Sequence, residues 1–148
     1  MKDEDHDKIW TEWRNLIGDF MMEFSEIEFI SFNLWSKKYP GQNPSHNFKE
    51  RTNQVISQLN GNKNAKVQEL LKKSVDLADR RNTIAHNPTL MQVFQKIDSE
   101  ELLFEYAISS FSQADYINLE DMKELVAEVT DIKTSIYMEL GYLPHEES

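Results

Sequence analysis

The stretch from residue 8 to residue 36 limits the fold more than any other part of this chain. Ile9, Trp13, Leu16, Ile17, Phe20, Met21, Phe24, Ile27, Leu34 and Trp35 recur at helical spacing, and Met22, Phe29, Ile30 and Phe32 add apolar surface on other sides. A helix that is apolar over most of its circumference has to be covered on more than one face. It is therefore either central in a bundle or packed on its second face against another subunit; the second reading is preferred, so a homodimer is expected. Glu23, Glu26 and Glu28 interrupt the apolar run between Phe20 and Phe32. Glu28 shares a column with Phe24, Ser31 and Trp35, and an inward carboxylate needs a cationic or hydrogen-bonding partner. The alternative is an exposed glutamate at the rim.

The following segments complete a mainly α chain. Tyr39-Pro40-Gly41-Gln42-Asn43-Pro44-Ser45 is dense in loop formers. A shorter helix is expected after it, with Asn47 and Glu50 spaced as a capping box and Phe48, Val55, Ile56 and Leu59 as its core face. Asn60-Gly61-Asn62 stops that helix. Another runs from about Ala65 to His86, with Asp76 and Arg80 spaced for an ion pair. Residues 90–97 and 102–108 read as two short strands joined into a hairpin. Asn118 begins a last helix with an acidic first turn, Glu120 and Asp121, and Gly141 stops it. The expectation is a single domain over 1–148: a bundle of about four helices with a short β-hairpin between the last two long ones. Loose acidic ends are expected at about 1–7 and 144–148.

At 148 residues the chain is long enough for one ordinary core. With no cysteine, disulfides and thiolate metal sites are excluded. The acidic start, Met1-Lys2-Asp3-Glu4-Asp5-His6-Asp7, does not resemble a secretory signal, and no uncharged apolar run is long enough to span a membrane. No membrane association and a cytoplasmic location are expected. A net charge of −10 argues against a general nucleic-acid coat. The charge is unevenly spread, however: residues 1–36 carry a net −6, residues 37–81 a net +6, and residues 82–148 a net −10. The basic third contains Lys37, Lys38, Lys63, Lys66, Lys72 and Lys73 and runs into Arg80 and Arg81. Such a segment can hold RNA locally while the rest of the surface repels it. It can equally be a solvated face whose charges pair within the fold.

That segment ends in the chemically suggestive cluster, Arg81-Asn82-Thr83-Ile84-Ala85-His86-Asn87-Pro88. The apolar stripe Val67, Leu70, Leu71, Leu77, Ala78, Ile84 and Ala85 takes in position 81, yet the residue there is arginine. A guanidinium stays charged, so on that stripe it requires a carboxylate, a carbonyl or a phosphate. Glu28 is the expected partner, with Glu23 or Glu26 as alternatives. Asn82 and His86 are four apart on neighbouring turns. Pro88 disfavours helix at Asn87, so an arginine, an amide and an imidazole meet at a helix C-terminus. A plain structural account also exists: a histidine there stabilises the terminal carbonyls, and an arginine can snorkel to the edge. No phosphate-binding glycine loop, nucleophile elbow or paired metal-ligand spacing is present, and no cofactor or metal is expected.

The Arg-Asn-x-x-x-His run, late in a long helix of a small helical protein, resembles the signature of the HEPN superfamily. The likeness continues through Asn87-Pro88, is specific over about ten positions, and follows the helix order loosely over most of the chain. HEPN domains are helical bundles, commonly homodimeric, and many are metal-independent endoribonucleases of toxin–antitoxin, phage-defence and CRISPR systems. The resemblance implies Arg81 and His86 as the catalytic pair and Asn82 as the polar residue beside the arginine; Glu28 and Arg80 are expected as supporting residues. It also implies two sites facing each other in a dimer, and leaves room for an antitoxin or nucleotidyltransferase partner.

Metal-free RNA cleavage needs few groups. His86 suits proton transfer to or from the ribose 2′-oxygen or the leaving 5′-oxygen, and Arg81 suits the crowded phosphorane. Asn82 would orient the imidazole. The expected products carry a 2′,3′-cyclic phosphate and a 5′-hydroxyl. The rival expectation is a non-catalytic dimeric interaction module in which the Arg-Asn-His cluster clamps the helix end.

Overall fold

The apolar repeat of the first segment folds as one helix, α1 (Asp3–Lys38), about 54 Å long. In the computed structural model, which describes residues 3–95, 97–109 and 115–141, the chain continues through α2 (Phe48–Gln58), α3 (Ala65–His86), β1 (Thr89–Gln95), β2 (Leu102–Ile108), β3 (Ile117–Asn118) and α4 (Leu119–Leu140). The chain is thus mainly helical, with a small antiparallel sheet between its last two long helices.

α1 begins five residues earlier than the apolar pattern suggests, so the expected loose start at 1–7 is corrected for Asp3 onward. Two effects extend it. Glu4, Asp5 and Asp7 suit the positive end of the helix dipole. His6 then docks on the sheet, its Nδ1 2.5 Å from the Tyr106 hydroxyl and its ring edge-on to Trp10. The expected loose tail at 144–148 lies outside the described residues.

α1 packs against both α4 and α2, and α3 closes the bundle against α2 and α4. Trp13, Phe20, Phe24, Ile27, Ile30 and Trp35 are buried, with Leu71, Val55, Met122, Val129 and Ile136 packed into the same core. Ile30 is therefore a core residue, whereas Met22, Phe29 and Phe32 are exposed. Several inner polar groups are paired, whereas Trp13 Nε1, buried in the same core, has no hydrogen-bond partner among the described residues. Ser31 and Thr52, both fully buried, share a 2.6 Å hydrogen bond between α1 and α2, and Trp35 Nε1 donates to Gln54 Oε1 at 2.6 Å. Glu23 and Glu26 both turn to α4, where Lys133 Nζ lies 2.7 and 3.4 Å from them. That contact raises the Lys133 pKa, with the Glu23 hydrogen bond as the largest cause.

The loop and cap chemistry follows the local sequence. α1 stops before Pro40, and Gly41 takes a positive φ of 77° that suits glycine. Asn47 caps α2 by accepting from the Glu50 N–H at 3.1 Å, but the Glu50 side chain does not return the bond as a full capping box would. Ser45 intervenes instead: its hydroxyl donates to Glu50 Oε2 and accepts from the Asn47 N–H. α4 has the complete box, Asn118 with Asp121, and a left-handed Gly141 at its end. α3 ends at His86, with Asn87 extended before Pro88 and its amide donating to the Thr83 carbonyl at 2.9 Å.

β1 and β2 pair in the order Thr89↔Ile108 to Gln95↔Leu102, and Asp98 adopts φ 71° in the connecting turn. The third strand is an addition to the expected hairpin. Ile117 and Asn118 pair with Ile108 and Ala107, so the polypeptide entering α4 is tied to the base of the sheet. Two residues are too few to leave a period-two signature in sequence. Tyr106, Ala107, Ile108 and Ile117 anchor this base in the core, while Leu102, Leu103 and Phe104 project at the far end.

Candidate functional site

α3 presents its last two turns where α1 and the start of α2 converge. Arg81 lies on the inner side, and its Nε is 3.6 Å from Glu28 Oε1 of α1, with both side chains about a third exposed (31% and 32%). The inward glutamate of the apolar α1 face and the inward arginine of the α3 stripe are thus each other's partner. Glu23 and Glu26, the alternatives, are held by Lys133. Arg81 Nη1 also donates to Asn82 Oδ1 at 3.3 Å.

A second arginine fixes the glutamate's backbone. Arg51 of α2 is buried, with its Nη1 on the Ser45 carbonyl at 3.2 Å, its Nη2 on the Glu28 carbonyl at 3.5 Å and its guanidinium 5.9 Å from the Phe48 ring centre. Burial pushes the Arg51 pKa down, and the nearby Glu28 charge opposes that shift. No sequence signal marks a role for Arg51, because the periodicity of α2 reports only its apolar face.

Phe24, Glu28, His46, Asn47, Phe48, Lys49, Ala78, Arg81 and Asn82 enclose a pocket of about 280 Å³. That volume is at the lower edge of ordinary ligand sites. Phe24 and Phe48, in edge-to-face contact at 5.1 Å, form its apolar floor. Lys49 pairs with Asp79 of α3 at 2.5 Å, tying the first turn of α2 to the site helix. His46 enters from the loop just ahead of the Asn47 cap and is exposed. Nothing in the sequence placed His46 or Lys49 beside Arg81, because only tertiary packing brings that loop to α3.

Of the other expected site residues, Asn82 lines the pocket while His86 and Arg80 do not. His86 is exposed at the end of α3 and is not among the pocket-lining residues. The helix explains why: five residues rotate a side chain by about 140° from Arg81 and carry it about 7.5 Å along the axis. Asn82 is nearer in angle to His86, but helical side chains lean toward the N-terminus, and its amide oxygen takes the Arg81 bond. Arg80 is half-buried outside the pocket lining. Among the described residues no Asp76–Arg80 ion pair forms; the ion pairs along α3 are Lys66–Glu69, Lys73–Glu69, Lys49–Asp79 and Arg81–Glu28. Ala85, expected on the buried stripe, is exposed because the stripe drifts round α3 and closes on Ile84. The sheet contributes no residue to this pocket; it bounds a separate cleft with Ile9 and Trp13 of α1 and Leu119 of α4.

Among the described residues, no group of three histidine, aspartate or glutamate side chains is arranged to hold a metal ion. Within the same residues no helix is long and apolar enough to cross a membrane. Glu28 meets Arg81 as an ion pair without a hydrogen bond and Asn82 takes one Nη1 donor, so the guanidinium, with five N–H donors in a planar fork, retains others. The pocket can therefore accept an anion without first breaking the ion pair that positions it. Compared with known proteins, the chain matches no family model, no curated protein and no solved structure.

Proposed function

We propose that this protein is a HEPN-like, metal-independent endoribonuclease that acts as a homodimer in the cytoplasm. One observation carries the reading: Arg81 is held by Glu28 at the wall of a polar pocket with donors to spare, on the same helix end as an exposed histidine. Arg81 would grip the scissile phosphate and stabilise the phosphorane, and His86 would transfer a proton at the ribose 2′-oxygen or the leaving 5′-oxygen. Within one chain Arg81 and His86 point to different sides of α3, so pairing them across a two-fold contact is part of the proposal.

The outer face of α1 supports the dimer. Gly18, Met22, Ser25, Phe29, Phe32 and Ser36 alternate four and three apart, as in a coiled-coil seam, with small residues between large ones. Met22 and Phe29 are 72% and 63% exposed, and the space beside Gly18 is open, so knobs and holes are both on offer to a second copy. Phe29→Glu is expected to convert a dimer into a monomer in sedimentation. A wild-type protein that is already monomeric at high micromolar concentration would remove this part of the proposal. A role as a toxin or phage-defence component, with an antitoxin or nucleotidyltransferase partner, rests on the HEPN resemblance alone.

The test is direct. Wild type and His86→Ala are incubated with a mixed RNA pool in EDTA, and product ends are read. Fragments with 2′,3′-cyclic phosphate and 5′-hydroxyl ends are expected from the wild type, and the variant should be slower by about 10²–10⁴-fold at an unchanged melting temperature. Equal cleavage by both, or cleavage abolished by EDTA, would overturn the proposal. The Arg81–Asn82 bond and the position of His86 outside the pocket favour the second reading, a non-catalytic dimeric interaction module. That reading is selected if the wild type is inert and substitutions in the cluster lower only stability.

A further inference from the structure

Transesterification of RNA moves two protons, and His86 accounts for one. As the 2′-oxygen bonds to phosphorus its proton leaves to a base; as the P–O5′ bond breaks, the departing oxygen takes a proton from an acid. The other histidines can be sorted by position. His6 is engaged with the Tyr106 hydroxyl at the far end of α1. His145 lies outside the described residues. His46 lines the pocket that also holds Arg81, Asn82, Lys49 and Glu28. Its imidazole is exposed, and among the described residues no hydrogen bond or ion pair engages it.

We propose that His46 is a second proton-transfer residue of the RNA-cleaving site, brought beside the phosphate-binding Arg81 by the loop that leads into α2. The inference rests on the endoribonuclease reading and extends it. The cations around His46 are each partly engaged but not saturated. Arg81 keeps donors beyond Glu28 and Asn82, and Lys49, with three donors, uses one on Asp79. A phosphodiester bound between them lies against the His46 side of the pocket. With His86 supplied across the proposed two-fold contact, one imidazole accepts the 2′-hydroxyl proton while the other, protonated, delivers one to O5′. The two protonation states are exchanged at the end of the step and reset through water, so protons balance with no co-reactant. Asn47 caps α2 immediately after His46, and Ser45 bonds that cap, so the loop is braced on both sides of the imidazole.

The experiment compares wild type, His46→Ala and His86→Ala in EDTA on one RNA oligonucleotide that the wild type cuts. A second version carries sulfur in place of the bridging 5′-oxygen at the cleaved bond. A thiolate leaves without protonation, so the variant lacking the general acid regains near wild-type rate on the sulfur substrate and the variant lacking the base does not. His46→Ala is expected to cut the ordinary RNA about 10²–10³-fold more slowly with an unchanged melting temperature, and rescue is expected in one variant only. Wild-type rates from His46→Ala overturn the inference and leave the endoribonuclease reading standing. Rescue of both variants or of neither assigns His46 a role other than proton transfer and also overturns it. A wild type inert on every RNA takes down the endoribonuclease reading, and this inference with it.

Discussion

Arg81→Ala is expected to reduce RNA cleavage by about three orders of magnitude or more, while the protein stays folded. The size follows from what the side chain would do: loss of a single fixed donor to a developing oxyanion costs about 10²–10³-fold, and a guanidinium fork offers more than one donor. The structural cost is small, because the Glu28–Arg81 pair is a third exposed at each end and water can take over the freed carboxylate. Arg51 also remains in place, bonded to the Glu28 carbonyl. A change in stability of about 1 kcal/mol or less is expected. Arg81→Lys should recover only a fraction of the rate, since a point charge cannot reproduce the planar fork. Initial rates on a defined RNA, with melting curves on the same samples, check both halves. Cleavage at wild-type rate would remove Arg81 from the chemistry; a large loss of stability would mark it as a clamp.

Phe24→Ala is expected to be the most damaging single change to the fold near the site. Phe24 is only 1% exposed, stacks on Phe20 at 6.0 Å, meets Phe48 edge-on at 5.1 Å and lines the Arg81 pocket. Truncation removes the ring's burial and leaves a cavity between α1 and α2, a combination worth about 3–5 kcal/mol. For a chain of this length the melting temperature should fall by roughly 10–15 °C. Phe24→Leu keeps most of the volume and should cost less than about half as much. Denaturant titration of the three proteins measures this, and a cost under about 1 kcal/mol for Phe24→Ala would contradict the packing of α2 on α1. The pocket floor goes with the ring, so ligand binding at Arg81 should weaken even below the melting temperature.

These two residues also show how far the sequence can be read. The boundaries of α3, Ala65 to His86, were legible because Gly61 and Pro88 act through their own backbone restrictions. The α4 cap at Asn118 and stop at Gly141 were legible for the same local reason. The Glu28–Arg81 pair was legible as one option, because a charge on an apolar stripe needs a polar partner; the structure selects Glu28 over Glu23 and Glu26. Periodicity told less about α1. It gave no means of ranking Ile30, which is buried, against Phe29, which is exposed, since both are apolar neighbours on a helix coated nearly all round.

What the sequence alone determined was therefore the four helices and the hairpin, the ends of α3 and the caps of α4, and the presence of an inward arginine that needs a polar partner. Tertiary structure decided which residues share the pocket. It carried His46 and Lys49, from a distant stretch of chain, to the arginine's side, whereas the angle of about 140° between Arg81 and His86 follows from helical phase alone. It also set Arg51 behind Glu28 and tied Ile117 to β2. The physical reason is one of range. Capping, turn formation and helical phase depend on residues within a few positions of one another, whereas a pocket is made by side chains whose only relation is that burying α1 brings their backbones together.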